Sequence, residues 1–186
     1  MNSMAWLALF VWVGAPLLAL LFGVLLWRRS STALGKALAL TVGVAVLSAP
    51  LLVSNAVKAY YDRQVREMCA KDGGVKIYET VRLPAEKFNQ WGQPNFYRPT
   101  QGQNALGAEY TFKQETHYYK YGNPEMSRRL YQVFRRVDNK LIGEAISYGR
   151  VGGDLPGPWH HSSFHCPADY GDIPLLVKIF VPLNQE

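Results

Sequence analysis

Asn55-Ala-Val-Lys-Ala-Tyr-Tyr-Asp-Arg-Gln-Val-Arg-Glu-Met-Cys69 is the stretch on which the reading of this chain turns. It has no proline or glycine and is rich in helix formers. Val57, Tyr61, Val65 and Met68 recur at helical spacing. Asp72-Gly73-Gly74 follows and predicts a stop, glycine being the natural residue just past a helix end. The composition on either side of Asn55 differs sharply. Residues 1–54 carry three charges, Arg28, Arg29 and Lys36, and no acid. Residues 55–186 carry the other 17 basic residues, all 14 acids, all four histidines, both cysteines and all 11 tyrosines. The 55–69 stretch therefore reads as a helical stalk joining a greasy half to a polar half.

Working back toward the start, Ala5–Trp27 is 23 residues without a charge. As a helix it reaches roughly 34 Å, enough for a hydrocarbon core. Trp6, Trp12 and Trp27 lie toward its ends, where an amphipathic ring suits the interface. It lacks a basic start and a small-x-small cleavage site, so it reads as a retained helix and not a signal peptide. Ala37–Val57 is a second span. Pro16 and Pro50 are expected to interrupt the two helices. The connection, Arg28 to Lys36, is short and basic, and positive loops stay in the cytoplasm. Both termini are then periplasmic. Ala15, Ala19 and Gly23 form a small-residue stripe on the first helix, and Gly35, Ala39 and Gly43 one on the second. Spacing of four puts each set on one face, where backbones can approach closely.

Working forward, Val75–Leu83 alternates and predicts one strand, with Val75, Ile77, Val81 and Leu83 on one side. A short helical turn is expected over Ala85–Trp91, and a loop over Gln93–Gly107. Ala108–Tyr121 reads as a long strand with Tyr110, Phe112 and Tyr118 on one face. Ser127–Val137 and Lys140–Val151 form a hairpin around Asp138-Asn139. Gly152–Pro167 reads as loop, with Trp159 as its anchor. Asp172–Val181 suits either a helix, with Ile173, Leu176, Val177 and Phe180 inward, or a strand; the helix is preferred. The fold class is α+β: a two-helix transmembrane hairpin (1–57), a juxtamembrane stalk (58–74), and an extracytoplasmic domain (75–186) with an antiparallel sheet of about four strands plus helix.

The outer half has a net charge of +3, too mild to argue for nucleic acid. Cys69 and Cys166 fall on the same side of the membrane, and an oxidising compartment would join them. His160, His161 and His165 are weak metal candidates, since neighbouring histidines diverge in extended chain and no i, i+4 pair exists. Arg128 and Arg136 fall on one face of the hairpin, and Arg129 and Arg135 on the other. The loop Gln90–Asn104 mixes aromatics with amides, and Trp91, Asn95, Phe96, Tyr97 and Arg98 make it the candidate binding loop. No nucleophile elbow, HExxH or cofactor fingerprint occurs, so neither an enzyme nor a cofactor is expected.

Cys69-Ala-Lys-Asp-Gly-Gly-Val-Lys-Ile-Tyr-Glu-Thr-Val81, Gly143-Glu-Ala-Ile-Ser-Tyr-Gly-Arg-Val-Gly-Gly-Asp154 and Ser162-Ser-Phe-His-Cys-Pro167 resemble uncharacterised small proteins of proteobacterial chromosomes and mobile islands. The resemblance covers the outer domain, implies a bacterial inner-membrane setting, and carries over no functional residue. The expected function is a non-enzymatic, membrane-anchored subunit of a secretion, conjugation or pilus assembly, or of a mobile-element defence or exclusion system. Its partners would be other membrane or envelope proteins, further copies of itself, and the lipid bilayer. The alternative is a periplasmic sensor or small-ligand-binding module anchored in the inner membrane.

Overall fold

The structure, a computed structural model, describes residues 13–157 and 160–183. Trp6, Trp12 and Trp159 lie outside the described residues. Helix α1 spans Ala15–Arg29 and helix α2 spans Ala33–Asp72. Of the described helices, α2 is the one long and apolar enough to cross a membrane. Pro50 does not interrupt its helix, and Pro16 opens one, the earlier part of the expected first span lying outside the described residues. Pro16 sits in the first turn of α1, where a missing N–H costs nothing. Pro50 lies inside α2, which continues through it for 40 residues. The short connection is capped locally: the Ser30 amide donates to Leu26 O (3.1 Å), and the Gly35 amide donates to Thr32 Oγ1 (3.1 Å).

The chain forms two compact units. One comprises residues up to Tyr60 together with Gly152–Ser162; the other comprises Tyr61–Val151 and Ser163 onward. Helix α2 supplies its first part to the one and its last turns to the other.

In the second unit, α2 stops at Asp72 as the sequence predicts, and Gly74 takes a positive φ of 125° that favours glycine. The expected strand over 75–83 is two strands, β1 (Gly74–Ile77) and β2 (Val81–Leu83), split at Tyr78–Thr80. The amides of Tyr78 and Glu79 both donate to Ile142 O (3.0 Å each), which bends the chain out of the sheet. Val75, Ile77, Val81 and Leu83 still face one core, because the break preserves their side. The expected helical turn after Pro84 shrinks to a 3₁₀ turn at Ala85–Lys87. Strands β3 (Tyr110–Lys120), β4 (Glu125–Arg135) and β5 (Lys140–Val151) follow, with Asn139 at φ 52° in the β4–β5 turn.

The predicted loop over 152–167 contains a further strand, β6 (Ser163–Cys166), antiparallel to β5. The main sheet is therefore five-stranded, in the order β1-β5-β4-β3 with β6 also on β5, and every pairing in it is antiparallel. The ambiguous terminal segment is both things in turn: helix α3 (Asp172–Ile179), then strand β7 (Phe180–Pro182), parallel to β2. The inward face of α3 is Leu175, Leu176 and Ile179, not the expected Ile173 and Val177.

Alternation gives the sheet two apolar faces. On one, Phe112, Tyr131, Val133, Ile142 and Ala145 pack with α3 and Phe180. On the other, Met126, Ile146 and Tyr148 pack with Val65 and Cys69 of α2, and Tyr61 and Met68 flank them. Three of the four residues that gave the stalk its helical spacing are thus what fastens it to the sheet.

Candidate functional site

The Gln90–Asn104 loop is held by its own residues. Asn89 Oδ1 accepts the amides of Trp91 and Gln93 (3.0 Å each), and Asn95 Nδ2 donates to Glu86 O (2.6 Å). Phe96 meets Phe180 edge-on at 5.3 Å, and Tyr97 meets Phe112 at 5.6 Å. The Tyr97 hydroxyl donates to Asp172; burial and that carboxylate both push its pKa up. Arg98 Nη1 donates to the carbonyls of Asn95 (2.6 Å) and Tyr97 (3.1 Å). Of the five candidate residues, Phe96 and Tyr97 point inward, Asn95 and Arg98 brace backbone, and Trp91 projects at 72% exposure. Beside the loop, Pro99, Gly102 and Gln103 face Phe112–Glu115 across an open cleft.

Cys69 and Cys166 are joined, with Cα atoms 5.9 Å apart and a separation of 97 positions in sequence. The bridge ties the last turns of α2 to β6. Charges reinforce the same seam. Arg150, 3% exposed, donates from Nε to Asp62 Oδ1 at 2.5 Å. At the far end of the stalk, Tyr148 Oη donates to Asp72 (2.8 Å), with Arg128 3.6 Å away. Burial, then the Asp72 carboxylate, pushes the Tyr148 hydroxyl up to about 12. The other hairpin arginines are also engaged: Arg135 with Glu79 and Asp138, and Arg136 with Tyr110 O and Asn104.

Sequence reasoning passed over Asp62, Asp72 and Arg150. The signal was available in part, since Asp62 lies on the same predicted helix as Val65 and Cys69, whereas Asp72 was read as part of its stop.

His165 stacks on Tyr170 at 4.1 Å and lies across Gly149, where a Cβ would come within 2.8 Å of its ring. Burial, then Arg129 and Arg150, lowers its pKa. His160 and His161 are exposed, and no group of three His, Cys, Asp or Glu able to hold a metal occurs among the described residues.

In the first unit, residues 152–162 return to the helices. Ser54 Oγ donates to Gly153 O (2.7 Å), and Lys58 Nζ pairs with Asp154 Oδ1 (3.1 Å). Leu155 shares a small apolar cavity with Pro16, Pro50 and Leu51. Burial disfavours the Asp154 charge, but the Ser162 amide at 2.5 Å and Lys58 outweigh it, holding the carboxyl at about 2. The small-residue stripes do line shared clefts between α1 and α2, with Ala19, Gly23, Ala39 and Gly43 on both sides. Yet a Cβ at Gly23 or Gly43 would meet nothing within 4 Å. Space is tighter at Gly35, where a Cβ would meet the Ser30 and Thr32 hydroxyls.

The arrangement fixes the last turns of α2 to a sheet in one unit and residues 152–162 to the helices in the other. Comparison with known proteins finds no match, whether among family models, curated proteins or solved structures.

Proposed function

We propose that the chain is a non-enzymatic, membrane-anchored subunit of a bacterial envelope assembly. In this reading α1 and α2 form a transmembrane hairpin, the basic connection is cytoplasmic, and residues 55–186 stand in the periplasm. The assembly is of the secretion, conjugation or pilus type, or belongs to a mobile-element defence or exclusion system, as the resemblance of the outer domain to proteins of mobile islands suggests.

The observation that carries the reading is helix α2. It runs unbroken from an apolar stretch into the packing of a sheet, and is secured there by Val65, by the Arg150–Asp62 pair and by a cystine. That construction suits a part that must hold its position against a partner. The cystine also favours an oxidising compartment. The sensor reading has less support, because two of the three aromatics expected to stack on a ligand, Phe96 and Tyr97, are spent on the core and only Trp91 projects.

An alkaline phosphatase fused after Glu186 should be active and a cytoplasmic reporter there silent; the reverse pattern would overturn the placement. Purification of the full chain from membranes in mild detergent should bring down a partner or an oligomer. Gly43→Leu or Gly23→Leu, entering open grooves where lipid offers no compensating drive, should reduce that recovery while the outer domain stays folded. If the Leu variants assemble like wild type, the intramembrane surface is not the interface.

A further inference from the structure

The β3–β4 turn carries an exposed aromatic group. Tyr118 and Tyr121 stack at 5.0 Å, while Tyr119 meets His117 at 4.8 Å and Tyr148 at 6.3 Å; Tyr118, Tyr121 and Tyr119 are 38%, 73% and 47% exposed. Lys120 stands between, its Nζ donating to Tyr121 O (3.3 Å) and lying 5.7 Å from the Tyr61 ring. Tyr61 belongs to α2, four residues past Val57, where the apolar run ends. At 1.5 Å per residue, Tyr61 lies about 6 Å along the helix from that point.

The register agrees. Glu125, the first residue of β4, pairs with Val151, and Val151 pairs with Ser163, so the turn lies at the end of the sheet where β5 finishes and β6 begins. The opposite end of the sheet bears the β4–β5 turn, with Val137 at 87% exposure.

Tyrosine flanking lysine, at the level where a membrane helix leaves the hydrocarbon, is the composition of a bilayer interface: the rings take the acyl–headgroup boundary and the ammonium reaches the phosphates. We propose that the β3–β4 turn, through Tyr118, Tyr119, Lys120 and Tyr121, rests on the headgroup layer of the membrane that α2 crosses. This rests on the membrane reading given above. It adds a second, non-helical contact with lipid, which would stop the outer domain from swinging about its stalk.

The test places photoreactive benzoylphenylalanine singly at Leu25, Tyr121 or Val137 of the full chain. Each variant is reconstituted in vesicles of phosphatidylethanolamine and phosphatidylglycerol and checked for an intact Cys69–Cys166 bridge. After illumination, lipid adducts are expected at 25 and at 121 and not at 137. Adducts at 25 without any at 121 would overturn this inference and leave the membrane reading standing. Equal adducts at 121 and 137 would overturn it as well, because the contact would have no location. No adduct at 25 would overturn the membrane reading itself, and this inference with it.

Discussion

Arg150 is the one charged side chain buried among the described residues, and its partner Asp62 sits on the helix that passes over its strand. Removing Asp62 takes a carboxylate and its hydrogen bond from a guanidinium that is 3% exposed. Asp62→Ala should therefore cost about 2 kcal/mol in urea unfolding of the full chain. An Arg63→Ala control, whose pairing with Glu67 is exposed on both sides, should change little.

At Gly143 the constraint is volume: a Cβ would sit 2.7 Å from Ile179 Cδ1 and 2.9 Å from Cγ1. Gly143→Ala should destabilise by about 1–3 kcal/mol, because α3 has no free space to withdraw into. Asp154 gives a pH signature. Its carboxyl titrates lower in the folded protein, at about 2, than in an unfolded chain, at about 3.9. Between those values the unfolded chain binds more protons, so the stabilisation is whole above pH ~4 and drains as pH falls toward 2. Pepsin cleavage within 152–162 should rise steeply over that window, and Asp154→Asn should flatten the rise. None of these three residues stood out in the sequence. Burial of an arginine, contact across a glycine and a carboxylate's cage depend on neighbours distant along the chain.

Among the elements, the stalk and the three long strands were legible because each has one dominant period over ten residues or more. The short ones were legible only in part. Strands β1 and β2 were read as one alternating run, and β6 and β7, with four and three residues, are too short for alternation to declare itself. The 90–104 loop misled for a related reason: aromatic and amide composition is the same whether a loop waits for a ligand or packs on its own domain. The cystine is where an element-scale measurement bites. It closes 97 residues of chain, and its removal by Cys69→Ser with Cys166→Ser should cost about 4–5 kcal/mol on the chain-entropy account. The stalk should remain docked below the new midpoint, since the burial of Val65 and the Arg150–Asp62 pair hold it independently of the bridge. Loss of near-ultraviolet tyrosine dichroism in native buffer would show instead that the bridge is what holds it.

At the scale of the whole molecule, a contrast in composition announced a greasy half and a polar half, and the α+β class followed from counting periods. What it did not announce is where the outer core is completed. Phe180 is fully buried, edge-on to both Phe96 (5.3 Å) and Tyr110 (5.0 Å), and its strand supplies the partner that β2 otherwise lacks. All three neighbours were made some 70 to 100 residues earlier in the chain. A polypeptide made from its amino end therefore presents α2 and four of the five strands of the main sheet well before the residue that closes the core over them. Until Phe180 is made, Phe96, Tyr110 and the inner face of the sheet are open to any chaperone or protease that meets them. A nascent chain halted at Lys178 should be degraded, while one extended past Pro182 should survive: the fate of everything made earlier is decided by residues 179–182.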